Sequence, residues 1–191
     1  MVTLQKGNFF MQKNQKITTR TLVVMSLLIG LNIIIVRFLS YETPILRVDF
    51  GYLTNACAAM LLGPVLGGVT AALSDVIGML VSGKIATYFP GFTFNAFLYG
   101  FLYGVFLYKK EHTITRISVC VITTIFSIGM FLTPIWLYIL SNYVYGSNKA
   151  FFIFLSSNVI KNLVMIPVQI VSIKFVSRYL LPNIKGSIYE K

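Results

Sequence analysis

From Phe50 to Ser74 the chain carries no charged side chain, and apolar stretches of similar character recur along most of its length. About 20 apolar residues in a helix are enough to cross the hydrocarbon core of a bilayer. Water therefore cannot be the main solvent of these segments. We predict an all-α, polytopic membrane protein, a bundle of hydrophobic helices.

The composition agrees with that class. Hydrophobic residues make up 57% of the 191 residues and charged residues only 11%, against roughly 25% charged in soluble domains. A chain of this length has room for about six spanning helices of about 20 residues each. We therefore expect one membrane domain and no soluble catalytic domain.

The positions of the positive charges predict the topology. The formal net charge is +11, which on a soluble protein would suggest nucleic acid or another anionic partner. Eleven of the basic residues fall in the N-terminal segment, one central loop and the C-terminal segment: Lys6, Lys13, Lys16, Arg20, Lys109, Lys110, Arg116, Lys174, Arg178, Lys185 and Lys191. By the positive-inside rule these three regions lie in the cytoplasm. Both termini can share that side only if the number of helices is even, and no nucleic-acid partner is expected.

We predict six helices, split where proline, glycine or charge interrupts the apolar runs. Their predicted ranges are Thr19–Leu39, Phe50–Leu62, Pro64–Val81, Phe92–Tyr108, Thr115–Leu140 with a kink at Thr133-Pro134, and Ala150–Tyr179. The domain organisation that follows is a cytoplasmic N-terminal segment (1–18), a six-helix transmembrane domain (19–181) and a cytoplasmic tail (182–191).

Three charged residues fall within predicted helices, where a charge near the bilayer centre costs on the order of 3 kcal/mol. Arg37 lies at the end of the first helix and can reach the headgroups. Asp75 and Lys161 each lie about eleven residues inside a helix, too deep for that escape at about 1.5 Å per residue. We therefore interpret Asp75 and Lys161 as candidate functional residues.

Polar and aromatic side chains accompany these charges. Asn158, Lys161, Asn162 and Gln169 form a polar stripe on the last helix that must face the bundle interior, either for interhelical hydrogen bonding or to line a ligand cavity. Asn95 begins another helix at a similar depth. The outer aromatic residues are partly explained by an interfacial belt, yet the turn from Tyr88 to Thr93 is also suited to stacking on a planar ligand.

Two further observations concern packing. Small residues recur four apart at Ser26/Gly30 and Gly67/Ala71, a spacing that lets helices approach closely, either within the bundle or at a docking surface. Cys57 and Cys120 lie in apolar runs without metal-ligand spacing, so neither a disulfide framework nor a metal site is expected.

Taken together, these motifs resemble the substrate-binding components of energy-coupling factor (ECF) vitamin transporters, and among them the folate-specific members. The resemblance covers nearly the whole chain. It depends on five segments: Arg37–Ser40 (RFLS), Arg47–Gly51 (RVDFG), Met60–Pro64 with Gly67-Gly68, Ala72–Asp75 (ALSD) and Tyr88–Thr93 (YFPGFT). The last is the most specific to the folate type.

The resemblance implies a six-helix bundle that binds its vitamin at the outer face and delivers it with a membrane coupling (T) protein and two cytoplasmic ATPase subunits. Family members carry an Ala-x-x-x-Ala docking motif on the first helix, which aligns here with Ser26-x-x-x-Gly30. No cofactor and no catalytic residue is expected, so the chain is predicted to be a non-enzymatic protein of the bacterial cell membrane.

A folate ligand assigns hypothetical roles to the candidate residues, because folate has a flat pterin and an anionic tail. Asp75 or Asn95 would pair with the pterin edge, and Phe89 and Trp136 would stack on the ring system. Arg37, Arg47, Lys84 or Lys161 would meet the carboxylates. The predicted substrate-binding set is completed by Tyr88, Phe92, Asn158 and Asn162, and the predicted partner-docking set is Ser26, Gly30, Gly67 and Ala71.

Three alternatives stay open on sequence alone. The vitamin can instead be thiamine, riboflavin or pantothenate, although five acidic residues suit a cationic vitamin poorly. An autonomous proton-coupled transporter would use Asp75 and Lys161 as a pair, but no two similar halves are visible. A membrane enzyme would need a nucleophile and base pair, and none is visible around the single His112.

Overall fold

The computed structural model of the chain describes residues 18–39, 41–42, 47–48, 50–83, 88–144 and 151–179. The helices are α1 (Thr19–Leu39), α2 (Gly51–Val81), α3 (Pro90–Leu107), α4 (Ile114–Thr124), α5 (Thr133–Ile139) and α6 (Phe151–Tyr179), and the strands are β1 (Tyr41–Glu42) and β2 (Arg47–Val48). Within these residues five helices are long and apolar enough to cross a membrane, α4 and α5 belonging to one of them, Ile114–Asn142. The predicted helical membrane architecture is confirmed at this level.

The chain reverses within α2, at the Gly63-Pro64 interruption that the sequence predicted. Gly63 has φ 84° and ψ −178°, a region open essentially to glycine alone. A Cβ placed on Gly67 would lie 2.8 Å from the Cα of Ala59, whereas residues eight apart in one straight helix are about 12 Å apart. The segments 51–62 and 64–81 therefore fold back on each other.

Glycines allow α3 to pack directly on the second of these segments. A Cβ on Gly104 would lie 2.3 Å from Pro64 Cα, and one on Gly100 would lie 2.5 Å from the Gly67 carbonyl oxygen. Both distances are shorter than any real Cβ contact, so the two backbones touch. This is the close approach that small residues permit between membrane helices.

This packing also decides the role of two residues predicted to dock a partner. Gly67 is buried against Ala59, and the Ala71 side chain is buried in the bundle. This burial fits the internal-packing alternative that the sequence left open for both residues. Their spacing serves the internal packing of α2.

The spanning segment Ile114–Asn142 is irregular around the predicted kink. Residues Ile125–Leu132 form widened, π-helical turns immediately before Thr133 and Pro134, and a second π-helical stretch, Leu140–Val144, follows α5. Proline lacks an amide hydrogen and crowds the carbonyl one turn earlier, and a wider turn relieves that crowding. The backbone is irregular where the kink was predicted, at Thr133-Pro134, but the irregularity takes the form of a change in helical pitch.

Polar side chains connect α1 to the start of α2. Asn32, only 7% exposed, donates to the Gly51 carbonyl at 3.2 Å and to Asn55 Oδ1 at 3.2 Å, and it also contacts the Thr54 hydroxyl. Between the two helices β1 and β2 form a two-residue antiparallel ladder that pairs Glu42 with Arg47. Neither feature was predicted, because an isolated asparagine and two-residue strands leave no periodic pattern.

The two ends of the bundle differ in character. Gly63 lies against the Tyr108 ring, and Lys174 Nζ donates to the His112 carbonyl at 2.6 Å. We call this the basic end, defined by Gly63, Tyr108–His112 and Lys174. The other is the aromatic end, defined by Tyr88, Phe89 and Trp136. The first turn of α1 and the last turn of α6 both point toward the basic end.

Candidate binding site

Three aromatic rings cluster at the aromatic end. The Phe89 ring centroid lies 5.7 Å from that of Trp136 and 5.9 Å from that of Phe92. Gly91 lies beneath them, and a Cβ there would be 2.6 Å from both the Phe89 and the Trp136 ring. Edge and tilted contacts at these distances are favourable for aromatic pairs. The predicted aromatic residues are thus brought together, and the Gly91 backbone packs directly against the Phe89 and Trp136 rings.

Asn95 fastens this cluster to the neighbouring helices. Its Oδ1 accepts a hydrogen bond from Trp136 Nε1 at 3.1 Å, and its Nδ2 donates to Thr133 Oγ1 at 3.3 Å. Thr133 in turn donates to the Ile128 carbonyl at 3.0 Å, inside the π-helical turns. Both ends of the 5% exposed Asn95 side chain are therefore engaged within the protein.

Asp75 is hydrogen-bonded to the first turn of α3, which also carries Phe92 of the aromatic cluster. Its Oδ2 accepts a hydrogen bond from Thr93 Oγ1 at 2.7 Å, and the same hydroxyl lies 3.0 Å from the Tyr88 hydroxyl. Thr93 belongs to the first turn of α3, so Asp75 is level with that turn and nearer the aromatic end than its position along α2 suggested. The result is a carboxylate with one oxygen fixed at the helix turn that begins at the aromatic cluster.

The polar stripe of α6 faces the interior, as predicted. Asn158, Asn162 and Gln169 are all buried, at 2%, 5% and 8% exposure. Gln169 accepts from the Tyr103 hydroxyl at 3.3 Å, which ties α6 to α3, and Lys161 Nζ donates to Asn158 Oδ1 at 3.1 Å. For Gln169 the hydrogen-bonding alternative therefore holds.

Asn162 behaves differently. Its amide packs against the Gly129 backbone, where an added Cβ would lie 2.8 Å from Nδ2. Among the described residues no acceptor reaches Nδ2, although the atom is enclosed. An enclosed donor without a partner costs about 1–3 kcal/mol. Gly129 lies one turn along the chain from Thr133, the residue that accepts a hydrogen bond from Asn95.

The remaining candidates are only partly placed. Arg37 lies in the last turn of α1 and Arg47 lies on β2, next to the start of α2. Lys84 lies outside the described residues. Thr93 and Thr133 are contacts that the sequence analysis missed; the hydroxyl of Thr93 in the Tyr88–Thr93 turn was the available signal. No group of three potential metal-ligating side chains occurs in the described ranges.

Ser26 and Gly30 lie on an open face of α1. A Cβ on Gly30 would meet no atom within 4 Å, and Ser26 is exposed with its hydroxyl donating to the Leu22 carbonyl at 2.8 Å. Val23 and Leu27 on the same face are 53% and 68% exposed. The two small residues thus form a shallow notch in an apolar helix surface.

We predict that Asn95→Leu loosens the aromatic cluster. The substitution leaves the Trp136 indole N–H and the Thr133 hydroxyl without their partner, and a lost interhelical hydrogen bond in a membrane protein costs about 1 kcal/mol. The thermal midpoint should fall and the Trp136 emission, from the only tryptophan of the chain, should shift. Asn142→Leu, which lies on the same spanning segment as Trp136, is the control. Unchanged emission in Asn95→Leu would contradict the contact.

Known proteins share this architecture. A relative from Clostridium novyi, described as folate transporter FolT, is 36% identical over 152 residues that cover 80% of this chain and 84% of the relative. A second FolT, from Leuconostoc mesenteroides, is 32% identical over 169 residues and 88% of each chain. A crystal structure of FolT bound with folic acid superposes with a TM-score of 0.76 at 36% identity, covering 85% of this chain and 94% of that one.

The family model described as "ECF transporter, substrate-specific component" matches residues 20–177. This range runs from the second residue of the first candidate span to two residues before the end of the last, and it contains every described residue of the site. The chain is therefore a multi-pass membrane protein that belongs to the substrate-specific components of ECF transporters.

Proposed function

We propose that this protein binds folate as the substrate-specificity subunit of an ECF-type transporter. The observation that carries the proposal is the carboxylate of Asp75, which Thr93 binds to the first turn of α3, the turn that also carries Phe92 and directly follows Phe89 of the aromatic cluster. A pterin is flat and presents adjacent N–H donors at one edge, so it requires an aromatic surface and a carboxylate acceptor together. The FolT relatives and the folic acid complex of a similar fold support this choice of vitamin.

Between the two residues considered for the pterin edge, the geometry favours Asp75. Each polar atom of the Asn95 amide already makes one internal hydrogen bond, to Trp136 or Thr133, and the side chain is only 5% exposed, which leaves little of it open to a ligand. Asp75 uses Oδ2 for a single hydroxyl donor. Carboxylates accept several hydrogen bonds, and those to charged acceptors are about twice as strong as neutral ones. Asn95 then acts through Trp136, by holding the ring in position.

The benzoyl and glutamate parts of folate require donors deeper in the site and cations at its rim. We assign the enclosed amide of Asn162 to a ligand acceptor, with Lys161 and Asn158 on the same polar stripe. Arg37 lies at the end of α1, just before the β1–β2 ladder, and Arg47 lies on β2; with Lys84 they are proposed to meet the carboxylates. The stack is assigned to Phe89, Phe92 and Trp136, with Tyr88 beside Thr93.

We further propose six spanning segments with both termini in the cytoplasm of a bacterium. The fold-back at Gly63 supports counting 51–62 and 64–81 separately, and the basic end would then face the cytoplasm by the positive-inside rule. Folate would enter at the aromatic end. A coupling protein and two ATPase subunits would supply the energy, with the notch at Ser26 and Gly30 meeting the coupling protein. The subunit itself would carry out no catalysis.

Folate uptake by cells tests whether this chain needs the coupling protein and the ATPases for transport. Cells that lack their own folate uptake are given this chain alone, the chain with a coupling protein and two ATPases, or the coupling proteins alone. We expect accumulation only with the complete set. Accumulation with this chain alone would contradict the proposal and support autonomous transport.

Asn162→Leu separates ligand binding from stability. Leucine has nearly the shape of asparagine, and its introduction removes a donor that has no internal acceptor. Thermal stability should therefore stay the same or rise, while folate affinity should fall about tenfold for one lost buried hydrogen bond. Gln169→Leu is the matched control on the same helix face, because it breaks the Tyr103 contact and should lower stability with little effect on affinity. Equal folate affinity of Asn162→Leu and wild type would refute this role.

A further inference from the structure

The basic end carries a cluster of cations that substrate binding does not use. Lys109, Lys110, Arg116 and Arg178 are exposed and Lys174 is half-buried. Three of them are held in place: Lys174 Nζ donates to the His112 carbonyl at 2.6 Å, Lys110 Nζ donates to the Val105 carbonyl at 2.7 Å, and Lys109 Nζ lies 5.2 Å from the Tyr108 ring centroid. These contacts gather the ends of α3, α4 and α6 into one surface.

The charge of this surface is not neutralised from within. Among the described residues, one acidic residue, Glu111, lies at the basic end. Within the described ranges it forms no ion pair with any of the five cations. Arg116 lies in the first turn of α4, and Arg178 lies in the last turn of α6 with its guanidinium 5.8 Å from the Tyr179 ring centroid. Both guanidinium groups are available to an external anion.

Below each arginine an apolar stripe runs along the helix toward the bilayer centre. On α4 the exposed residues Val119 and Ile122 follow Arg116, and on α6 Phe175 and Val171 precede Arg178 at helical spacing. The helices α4 and α6 pack against each other. An anion that binds here with acyl chains attached would place its phosphate at the arginines and its chains along the stripes. Guanidinium groups are well suited to phosphate because they donate two parallel hydrogen bonds.

We propose that the α4–α6 surface at the basic end is a binding site for anionic glycerophospholipid, with Arg116 and Arg178 contacting the phosphodiester headgroup. Basic pockets between membrane helices are a known setting for anionic headgroups. The site lies at the opposite end of the bundle from Asp75 and Trp136. It therefore neither depends on the folate proposal nor shares a residue with it.

Equilibrium binding to the full-length protein in detergent tests the site. The probe is phosphatidylglycerol with a fluorophore on one acyl chain, followed by anisotropy, and phosphatidylcholine with the same chains is the reference. We expect tighter binding of phosphatidylglycerol, and a loss of about 25-fold in Arg116→Gln/Arg178→Gln, at about fivefold per cation. Lys13→Gln/Lys16→Gln removes the same charge ahead of α1 and should leave the affinity unchanged. Arg116→Lys/Arg178→Lys should retain most of it.

Several outcomes would overturn the proposal. They are equal binding of the two lipids, an equal loss in the Lys13/Lys16 control, and no advantage of the lysine variant over the glutamine variant. Displacement of the lipid by millimolar inorganic phosphate would indicate a simple anion site. Equally tight binding of an acidic peptide would assign the surface to a protein partner. The circular dichroism spectrum and the size-exclusion profile of the double glutamine variant should equal those of wild type, which reports that the variant is folded.

Discussion

Replacement of Asp75 by asparagine should lower folate affinity about 100-fold, the loss of two hydrogen bonds to a charged acceptor at about 1.5 kcal/mol each. The substitution keeps the size of the side chain and the Oδ position that accepts from Thr93 at 2.7 Å. It removes the negative charge and can turn an N–H donor toward the donors of the pterin edge. The effect should therefore appear in affinity while the fold is retained.

Isothermal titration of the purified variant with folate measures this loss. Glu111→Gln is the matched control, since it removes one carboxylate at the basic end of the same bundle and should bind folate like wild type. The circular dichroism spectrum and thermal midpoint of Asp75→Asn should stay close to those of wild type. An affinity within a few-fold of wild type would place the pterin elsewhere and remove the main support for the assigned site.

The largest effect on stability is expected from Gly104→Ala. The new methyl carbon would lie 2.3 Å from Pro64 Cα and 2.6 Å from Pro64 N, and both are backbone atoms that cannot rotate away. α3 would have to move off the start of the 64–81 segment, next to the Gly63 reversal. Overpacking costs about 1–3 kcal/mol and occasionally more, and the upper part of that range is expected here because backbone must shift.

Gly30→Ala supplies the contrast, because its Cβ would meet no atom within 4 Å and alanine is the better helix former. Size-exclusion profiles and thermal unfolding in detergent should show Gly104→Ala aggregated or strongly destabilised, and Gly30→Ala at least as stable as wild type. If both variants unfolded at the wild-type temperature, the direct backbone contact between α3 and α2 would be disproved.

The helices were predictable because hydrophobicity and helix breakers act locally. α1 begins and ends at the predicted residues, Thr19 and Leu39, and α6 begins at Phe151, one residue later than expected. Gly63-Pro64 and Thr133-Pro134 mark irregular backbone because proline and glycine change local geometry whatever surrounds them. α3 begins two residues early, at Pro90, since proline is well suited to the first helical position.

The site was less predictable because it depends on which helices are neighbours. Asn95 and Asp75 were equivalent candidates in the sequence. The structure distinguishes them by their neighbours: the Asn95 amide holds the Trp136 ring, whereas the Asp75 carboxylate accepts one bond from Thr93 and can accept more. Small residues four apart pack inside a bundle or against a partner by the same physics, so Gly67 and Ser26 could not be distinguished by spacing. Their burial distinguishes them.

The central claim is that the carboxylate and rings of the aromatic end form a folate site. The most direct test is titration of the purified wild-type protein with folate and, separately, with thiamine, following the emission of Trp136. The ring packs against Phe89, so a stacked pterin should quench it. The account predicts saturable quenching by folate and none by thiamine. No response to folate, or an equal response to both vitamins, would contradict it.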